Sequence, residues 1–382
     1  TLGDYAFGGC PKVTGLRDLP MLEEIGANAL DSANIPEIAN LPRLRKIGAY
    51  AMPRHNLVTV GNLPSLEYIG DNAFWSSADL VSFGAAPNVT YVGASAFEYC
   101  RNLETIGLGG ITAEIGKNAF AVCTSLKSLD LSNVTSIGEK AFSNCGALET
   151  VVSLESITSL GKNAFEECKS LVTVGKIGNL TELPESLFYN CKSLADVTLP
   201  DTLVKINKQA FMRCYVLPSI NLPDGLETID DQAFEMCEAL PEIIVPESVT
   251  SIGAEAFFGC HSAVRIVFPK SLATLPGSGV SQCRKLESFV FPENTKIVPT
   301  SFFYGCTSLK EVVLPNTVTN VTWQAFMDCT SLTRVTIPSS VTFISPNAFA
   351  GCKKANLTLL VERGSYAETF AKKNSYHYKY SN

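Results

Sequence analysis

The residues of this chain that could do chemistry are thirteen cysteines, three histidines and one adjacent pair of aspartates. The cysteines stand at Cys10, Cys100, Cys123, Cys145, Cys168, Cys191, Cys214, Cys237, Cys260, Cys283, Cys306, Cys329 and Cys352. Regularly spaced thiols could bind a metal or form disulfides. Zinc sites use closely paired ligands such as C-x-x-C, and the sequence contains no such pair. A disulfide needs two Cβ atoms facing each other, whereas residues in one slot of a repeat point in parallel. The odd count also argues against complete pairing. The spacing therefore predicts a column of reduced, buried thiols, each packing as a small apolar side chain.

His55, His261 and His377 lie far apart, and none sits in a G-x-S-x-G or H-E-x-x-H setting. No glycine-rich stretch has the strand-loop-helix frame of a phosphate site. His55 stands where most copies have cysteine and reads as a packed core or rim residue. Asp230 and Asp231 occupy a turn position where Gly-x is usual, so they read as a solvated turn. No catalytic, cofactor-binding or metal-ligating set emerges. The expectation is a protein that is not an enzyme and needs no cofactor.

What spaces the cysteines is an internal repeat. Each lies three residues after an anchor, and the anchors are Phe7, Leu30, Met52, Phe74, Phe97, Phe120, Phe142, Phe165, Phe188, Phe211, Phe234, Phe257, Val280, Phe303, Phe326 and Phe349. The step is 23 residues, with three steps of 22 ending at Met52, Phe74 and Phe142. Ala33, His55 and Ser77 fill the cysteine slot in the remaining copies. A fixed period of this kind argues for one continuous solenoid in place of the two or three domains that 382 residues would suggest.

One copy read as physics shows what builds each turn. From Cys191 the inward positions are Leu194, Val197, Leu199, Leu203, Ile206, Ala210 and Phe211. Val197 and Leu199 alternate with Thr198, the period of a strand with one buried face. Pro200 ends that strand because it cannot donate to a ladder, and Pro223, Pro246, Pro269, Pro292, Pro315 and Pro338 repeat the stop. Each copy should thus supply one short strand, and stacked copies should pair in parallel at ~4.8 Å per turn, about 75 Å for the array. The Ala-Phe-x-x-Cys segment is too short for a full helix and reads as a turn.

The pattern L-x-x-V-x-L-P-x-x-L-x-x-I-G-x-x-A-F-x-x-C-x-x-L resembles the BspA-type, or Treponema pallidum type, leucine-rich repeats. Ile137-Gly138-Glu139-Lys140-Ala141-Phe142-Ser143-Asn144-Cys145 and Ile252-Gly253-Ala254-Glu255-Ala256-Phe257-Phe258-Gly259-Cys260 carry the likeness most closely. The expected fold is an α/β repeat solenoid: a right-handed leucine-rich-repeat array of 16 turns of about 23 residues, with a parallel β-sheet on one face. Residues 1–355 would form the array and 356–382 a C-terminal helix-strand cap. The resemblance implies an exported bacterial protein, secreted or held at the cell surface. It also implies adhesion to host extracellular-matrix or plasma proteins such as fibronectin and fibrinogen.

The cap has its own signals. Leu357 to Val361 reads as a strand, and Ser365-Tyr366-Ala367-Glu368 as a capping-box start to a short helix ending near Asn374. Tyr366, Ala367, Phe370 and Ala371 should face the last repeat, and Tyr376 to Tyr380 should add a strand. Near Val280, Gly277-Ser278-Gly279-Val280 replaces the usual Ala-Phe, which predicts a local gap or a shifted turn. The first four copies are also less regular.

Composition narrows the partners. With 37 acidic against 30 basic residues and no basic cluster, nucleic acid and anionic membranes are not expected partners. No apolar run is long enough to span a membrane. Thr1-Leu2-Gly3-Asp4 enters mid-repeat without an initiator Met, so a processed form is expected, with any export signal outside this sequence. The sequons at Asn88, Asn133, Asn179, Asn320 and Asn356 fall mostly at turns that favour small polar residues anyway.

The candidate partner-binding residues lie on the outer face of the strands. Ile244, Val267, Val290 and Val313 recur at the outward slot of four consecutive copies, flanked by Glu242, Arg265, Glu311 and Arg334. β-branched residues suit strands in any case, but a contiguous exposed apolar stripe also suits recognition of a protein. A glycan-binding module would instead show a row of exposed aromatics, and Trp75 and Trp323 sit beside the anchor slot, away from the strand. A structural spacer would bind nothing on this face.

Overall fold

The structure, a computed structural model, describes residues 1–108 and 114–381. The chain divides into two compact units, one of Thr1–Leu180 with Pro184–Pro200 and one of Thr181–Leu183 with Asp201–Asn382. Both are stacks of repeat turns held by parallel ladders, a leucine-rich-repeat solenoid with one helix among the described residues.

The strands expected after Leu-x-x form. In the first unit they run Leu16–Arg17, Glu37–Ala39, Thr59–Val60, Ser82–Ala85 and Thr105–Gly107 as one sheet, and Ser128–Leu129, Thr150–Val151, Thr173–Val174 and Asp196–Val197 as another. Register is kept slot for slot, with Val151 opposite Val174 and Val174 opposite Val197. Most turns also carry a second short strand, at the residues before the Ile-Gly step, which the sequence reading left as turn. Seven of these, from Glu24–Ile25 to Ser159–Leu160, form a parallel sheet of their own in the first unit. The second unit repeats this with Glu182–Leu183, Lys205–Ile206, Thr228–Ile229 and Ser251–Ile252. The glycine that follows lets successive turns close up. A Cβ on Gly138 would lie 2.6 Å from the Lys117 backbone nitrogen.

The Ala-Phe-x-x-Cys segment is not helical. It is bent by two left-handed residues per turn, for example Asn118 at φ 55° and Val122 at φ 63°. Even so, it pairs with its neighbour. The Phe97 N–H donates to the Ala119 carbonyl at 2.7 Å, and Phe120 and Phe142 donate likewise to Ala141 and Ala164 at 2.8 Å. These bonds satisfy backbone donors that a buried irregular segment would otherwise leave desolvated.

Inside, the anchors stack face to face. Ring centroids are 5.0 Å apart for Phe74 and Phe97, 5.3 Å for Phe120 and Phe142, and 5.2 Å for Phe326 and Phe349. Such pairs each contribute about 0.5–1.5 kcal/mol beyond burial. Beside them runs the expected thiol column. Every cysteine except Cys10 is buried. Cys123 Sγ donates to the Phe97 carbonyl and Cys260 Sγ to Phe234, so the column is hydrogen-bonded as well as packed.

Of the gap or shifted turn expected at Val280, the structure has the second. Val280 is fully buried, and Phe268, Phe289, Phe291 and Phe302 crowd in around Phe303. Phe268 meets Phe289 at 5.6 Å, and Phe302 meets Phe303 at 4.6 Å, both edge to face. Rings from the strand side, Phe268, Phe289 and Phe291, together with Phe302 beside the next anchor, fill this part of the core. The ladders are interrupted here. Thr274-Leu275 forms no strand, and Ser288 makes only a single bridge to Glu311.

The C-terminal helix is Tyr366–Lys373, capped by the Ser365 side chain, which accepts from the Glu368 N–H at 3.1 Å. Ala367, Phe370 and Ala371 are buried as expected. Tyr366 is not. It is 42% exposed, because it starts the helix on the side away from Phe349 and Tyr376. The strand His377–Tyr380 pairs in parallel with Thr358–Val361.

Candidate partner-binding face

The outward residues of the first strand in the second unit form the candidate face. Glu242–Ile244 pairs with Arg265–Val267, which sets Ile244 beside Val267. Glu311–Val313 pairs with Arg334–Ile337, which sets Val313 beside Thr336. Between these pairs lies the turn of Val290, which projects furthest because no ladder flattens it.

Exposure follows that geometry. Val290 is 81% exposed, Val313 66% and Ile244 53%. Val267 is only half-buried, so the fourth member of the stripe contributes less surface than its slot suggested. Val264 adds a position that sequence reading missed. It lies two residues before the buried Ile266 and is exposed. The period of two would have placed it inward with Ile266, and it is exposed because it lies just before the strand Arg265–Val267.

The charges flanking the stripe are matched across neighbouring turns. Arg265 donates to Glu242, Arg334 lies 3.4 Å from Glu311, and Lys310 Nζ lies 2.7 Å from Glu287. Pairs this exposed stabilise a fold by about 0–1 kcal/mol. Their larger effect is on the surface potential. Basic and acidic groups cancel, leaving the aliphatic side chains as the feature that distinguishes this face.

At its edge the face has a groove of about 490 Å3 lined by Pro218, Ile220, Asn221, Pro241, Glu242 and Ile244. Its origin is backbone chemistry. In the next turn, Val264 occupies the slot of Pro241 and its N–H donates to the Pro241 carbonyl at 2.9 Å. Pro241 has no N–H to donate to Pro218, so the ladder lapses and Ser219 to Asn221 form no strand.

The other chemical candidates do not converge. His55 is buried, its Nε2–H donating to the Leu30 carbonyl at 3.2 Å, and burial lowers its pKa. His261 Nδ1 lies 3.4 Å from Glu238. Asp231 is half-buried and accepts from the Ala254 N–H at 2.8 Å, which makes it a turn clasp more than a solvated carboxylate. Burial pushes the Cys100 and Cys145 thiols up to about 12. Among the described residues no three histidine, cysteine or acidic side chains are grouped to hold a metal. No helix among them is long and apolar enough to cross a membrane.

Comparison with known proteins agrees with this architecture. A leucine-rich repeat protein from Bacteroides ovatus superposes with a TM-score of 0.74 at 22% identity, over 97% of this chain and 94% of that one. A leucine rich cell surface protein from Faecalibacterium prausnitzii gives 0.50 at 26% identity, over 82% and 85%. No curated protein matches the sequence significantly. The pattern of the BspA type leucine rich repeat region matches residues 1–127, 46–172, 113–241 and 227–356. Phenylalanine anchors, a thiol column and paired ladders recurring across those residues are what that pattern encodes, and the chain belongs to the BspA-type leucine-rich repeat family.

Proposed function

We propose that this chain is a non-catalytic, protein-binding adhesin, secreted or held at a bacterial cell surface, that recognises a host extracellular-matrix or plasma protein through the face of Ile244, Val267, Val290 and Val313. One observation carries the reading: exposed aliphatic side chains recur turn after turn while the charges around them are cancelled in pairs. Contiguous apolar surface of this kind marks interaction sites, and solenoids bind through extended faces. The Pro218 groove gives such a partner a slot for one apolar side chain. The surface location is supported by the family and by the naming of the Faecalibacterium relative as a cell surface protein.

The test is binding of the chain to immobilised fibronectin, fibrinogen and other matrix proteins, beside a Val290→Lys/Val313→Lys variant. Both side chains are exposed, so the variant should fold. Binding by the parent that the variant loses supports the adhesin reading. Equal binding by both moves the site elsewhere. No binding by either favours a spacer that presents another module.

A further inference from the structure

We propose that the C-terminal cap of the second unit binds a sulfated glycosaminoglycan. Residues 353–379 carry six lysines and arginines against two glutamates, whereas the whole chain has 30 basic against 37 acidic residues. The cap is a positive island on an acidic chain. Its cations are Lys353, Lys354, Arg363, Lys372, Lys373 and Lys379, all exposed. In sequence they are too dispersed to read as a basic cluster, and the fold gathers them. No residue of the apolar stripe takes part.

One aromatic segment does the gathering. Arg363 lies over the Tyr380 ring at 4.5 Å, Lys372 over Tyr378 at 5.8 Å and Lys354 over Tyr376 at 4.7 Å. The Tyr378 and Tyr380 rings are 5.9 Å apart, so cations from separate stretches of the chain meet beside one strand. Lys354 also donates to the Asn374 carbonyl at 3.1 Å. The acids of the cap are already occupied. Glu368 accepts from the Gly364 N–H, Lys372 and the Tyr380 hydroxyl, and Glu362 accepts from the Ser339 N–H. Among the described residues Lys372 alone of the six cations has a carboxylate partner. On the repeat turns, by contrast, Arg45 is bound to Glu67, Lys127 to Glu104 and Lys310 to Glu287.

The sign of the charge and the covered rings narrow the partner. A solenoid cap needs only a polar outer side, which acids would supply as well, so cations without partners point to an anionic ligand. Lys372 and Lys373 also suit the helix C-terminus, but the other four lie outside the helix Tyr366–Lys373. Single-stranded nucleic acid is held by bases stacking on open aromatic faces. Here Tyr376, Tyr378 and Tyr380 each have a cation over the ring. An anionic membrane is held by a basic helix whose apolar face inserts, whereas Ala367, Phe370 and Ala371 are buried. A DNA duplex is too stiff to bend onto one short helix and one strand. A linear polysaccharide is flexible enough to follow such a patch. Dense sulfation supplies the charge needed to outweigh repulsion by the acidic remainder of the chain.

The experiment is calorimetric titration of the full chain with heparin, beside fully desulfated heparin, single-stranded DNA, duplex DNA and phosphatidylserine vesicles. Heparin should bind saturably, with an affinity that falls as salt rises. Desulfated heparin should bind at least tenfold more weakly. A Lys353→Gln/Lys373→Gln/Lys379→Gln variant should lose tenfold or more of the heparin affinity at an unchanged thermal midpoint, because these side chains are exposed and carry no ion pair among the described residues. Val290→Lys should not weaken it. Failure of heparin to bind at low salt, equal binding by the triple variant, or equal affinity for desulfated heparin, either DNA or the vesicles overturns the proposal.

Discussion

Cys168 Sγ donates to the carbonyl of Phe142 in the preceding turn at 3.2 Å, and the same bond joins Cys145 to Phe120 and Cys191 to Phe165. Thiol and anchor thus form one repeating link between turns. Burial is the main cause of the raised thiol pKa values, with neighbouring thiols adding to it at Cys168.

It follows that a thiol reagent at pH 8 should label the native protein at one position, Cys10, the one exposed cysteine. In denaturant the count should rise to thirteen. Rapid labelling of several thiols in the folded state would contradict the column.

Removing one anchor should be costly because the ring is packed on both sides. Phe142 stacks on Phe120 and Phe165 at 5.3 Å. Phe142→Ala should destabilise by about 3–5 kcal/mol in urea titrations. Val280→Phe restores the repeat's usual residue, yet it should also destabilise, by about 1–3 kcal/mol, because Phe302 and its neighbours already fill the space.

That contrast shows how far the sequence was readable. Period, anchors, most strand stops, the thiol column beyond Cys10 and the helix cap follow from residue type at a fixed slot and are found where expected. The second ladder was missed because two residues are too few to show a period, and its pairing depends on the glycine beside Ile137. The filling of the Val280 site was missed because Phe268 and Phe302 reach it from other slots. Val267 and Tyr366 were assigned the right element and the wrong exposure, which neighbours decide.

The two lysine substitutions on the candidate face should differ. Val290→Lys should change stability by less than about 0.5 kcal/mol, as surface substitutions do. Val267→Lys should cost more, because its half-buried side chain must leave its packing beside Ile244. Thermal unfolding of the two variants checks this.

His55 should make stability depend on mild acid. Its folded pKa lies below the ordinary 6.5, chiefly through burial. The unfolded state therefore takes up the proton first, so the contribution is fully present above about pH 6.5 and is lost as pH falls through the folded value. His55→Cys should flatten that limb of the curve. An unchanged slope would show that His55 does not titrate with unfolding.

Glu368 acts at lower pH. Lys372, the Gly364 N–H and the Tyr380 hydroxyl hold its carboxyl down at about 2. Its stabilisation is present above the ordinary 4.5 and fades as pH falls towards about 2. Glu368→Gln should remove this dependence and speed hydrogen exchange in the helix Tyr366–Lys373.

The aromatic cluster around Val280 alters how this stretch comes apart. In a linear array each interface melts on its own terms, coupled to its nearest neighbours. Stacked anchors keep to that rule, since each ring touches the next copy only. Around Val280 the contacts are denser: Phe268 meets Phe302 of the next copy, and Phe289 touches both Phe302 and Phe303 of its own. Where the motif looks weakest, one pair of neighbouring copies is held by several ring contacts, so fraying that reaches this interface must release them together.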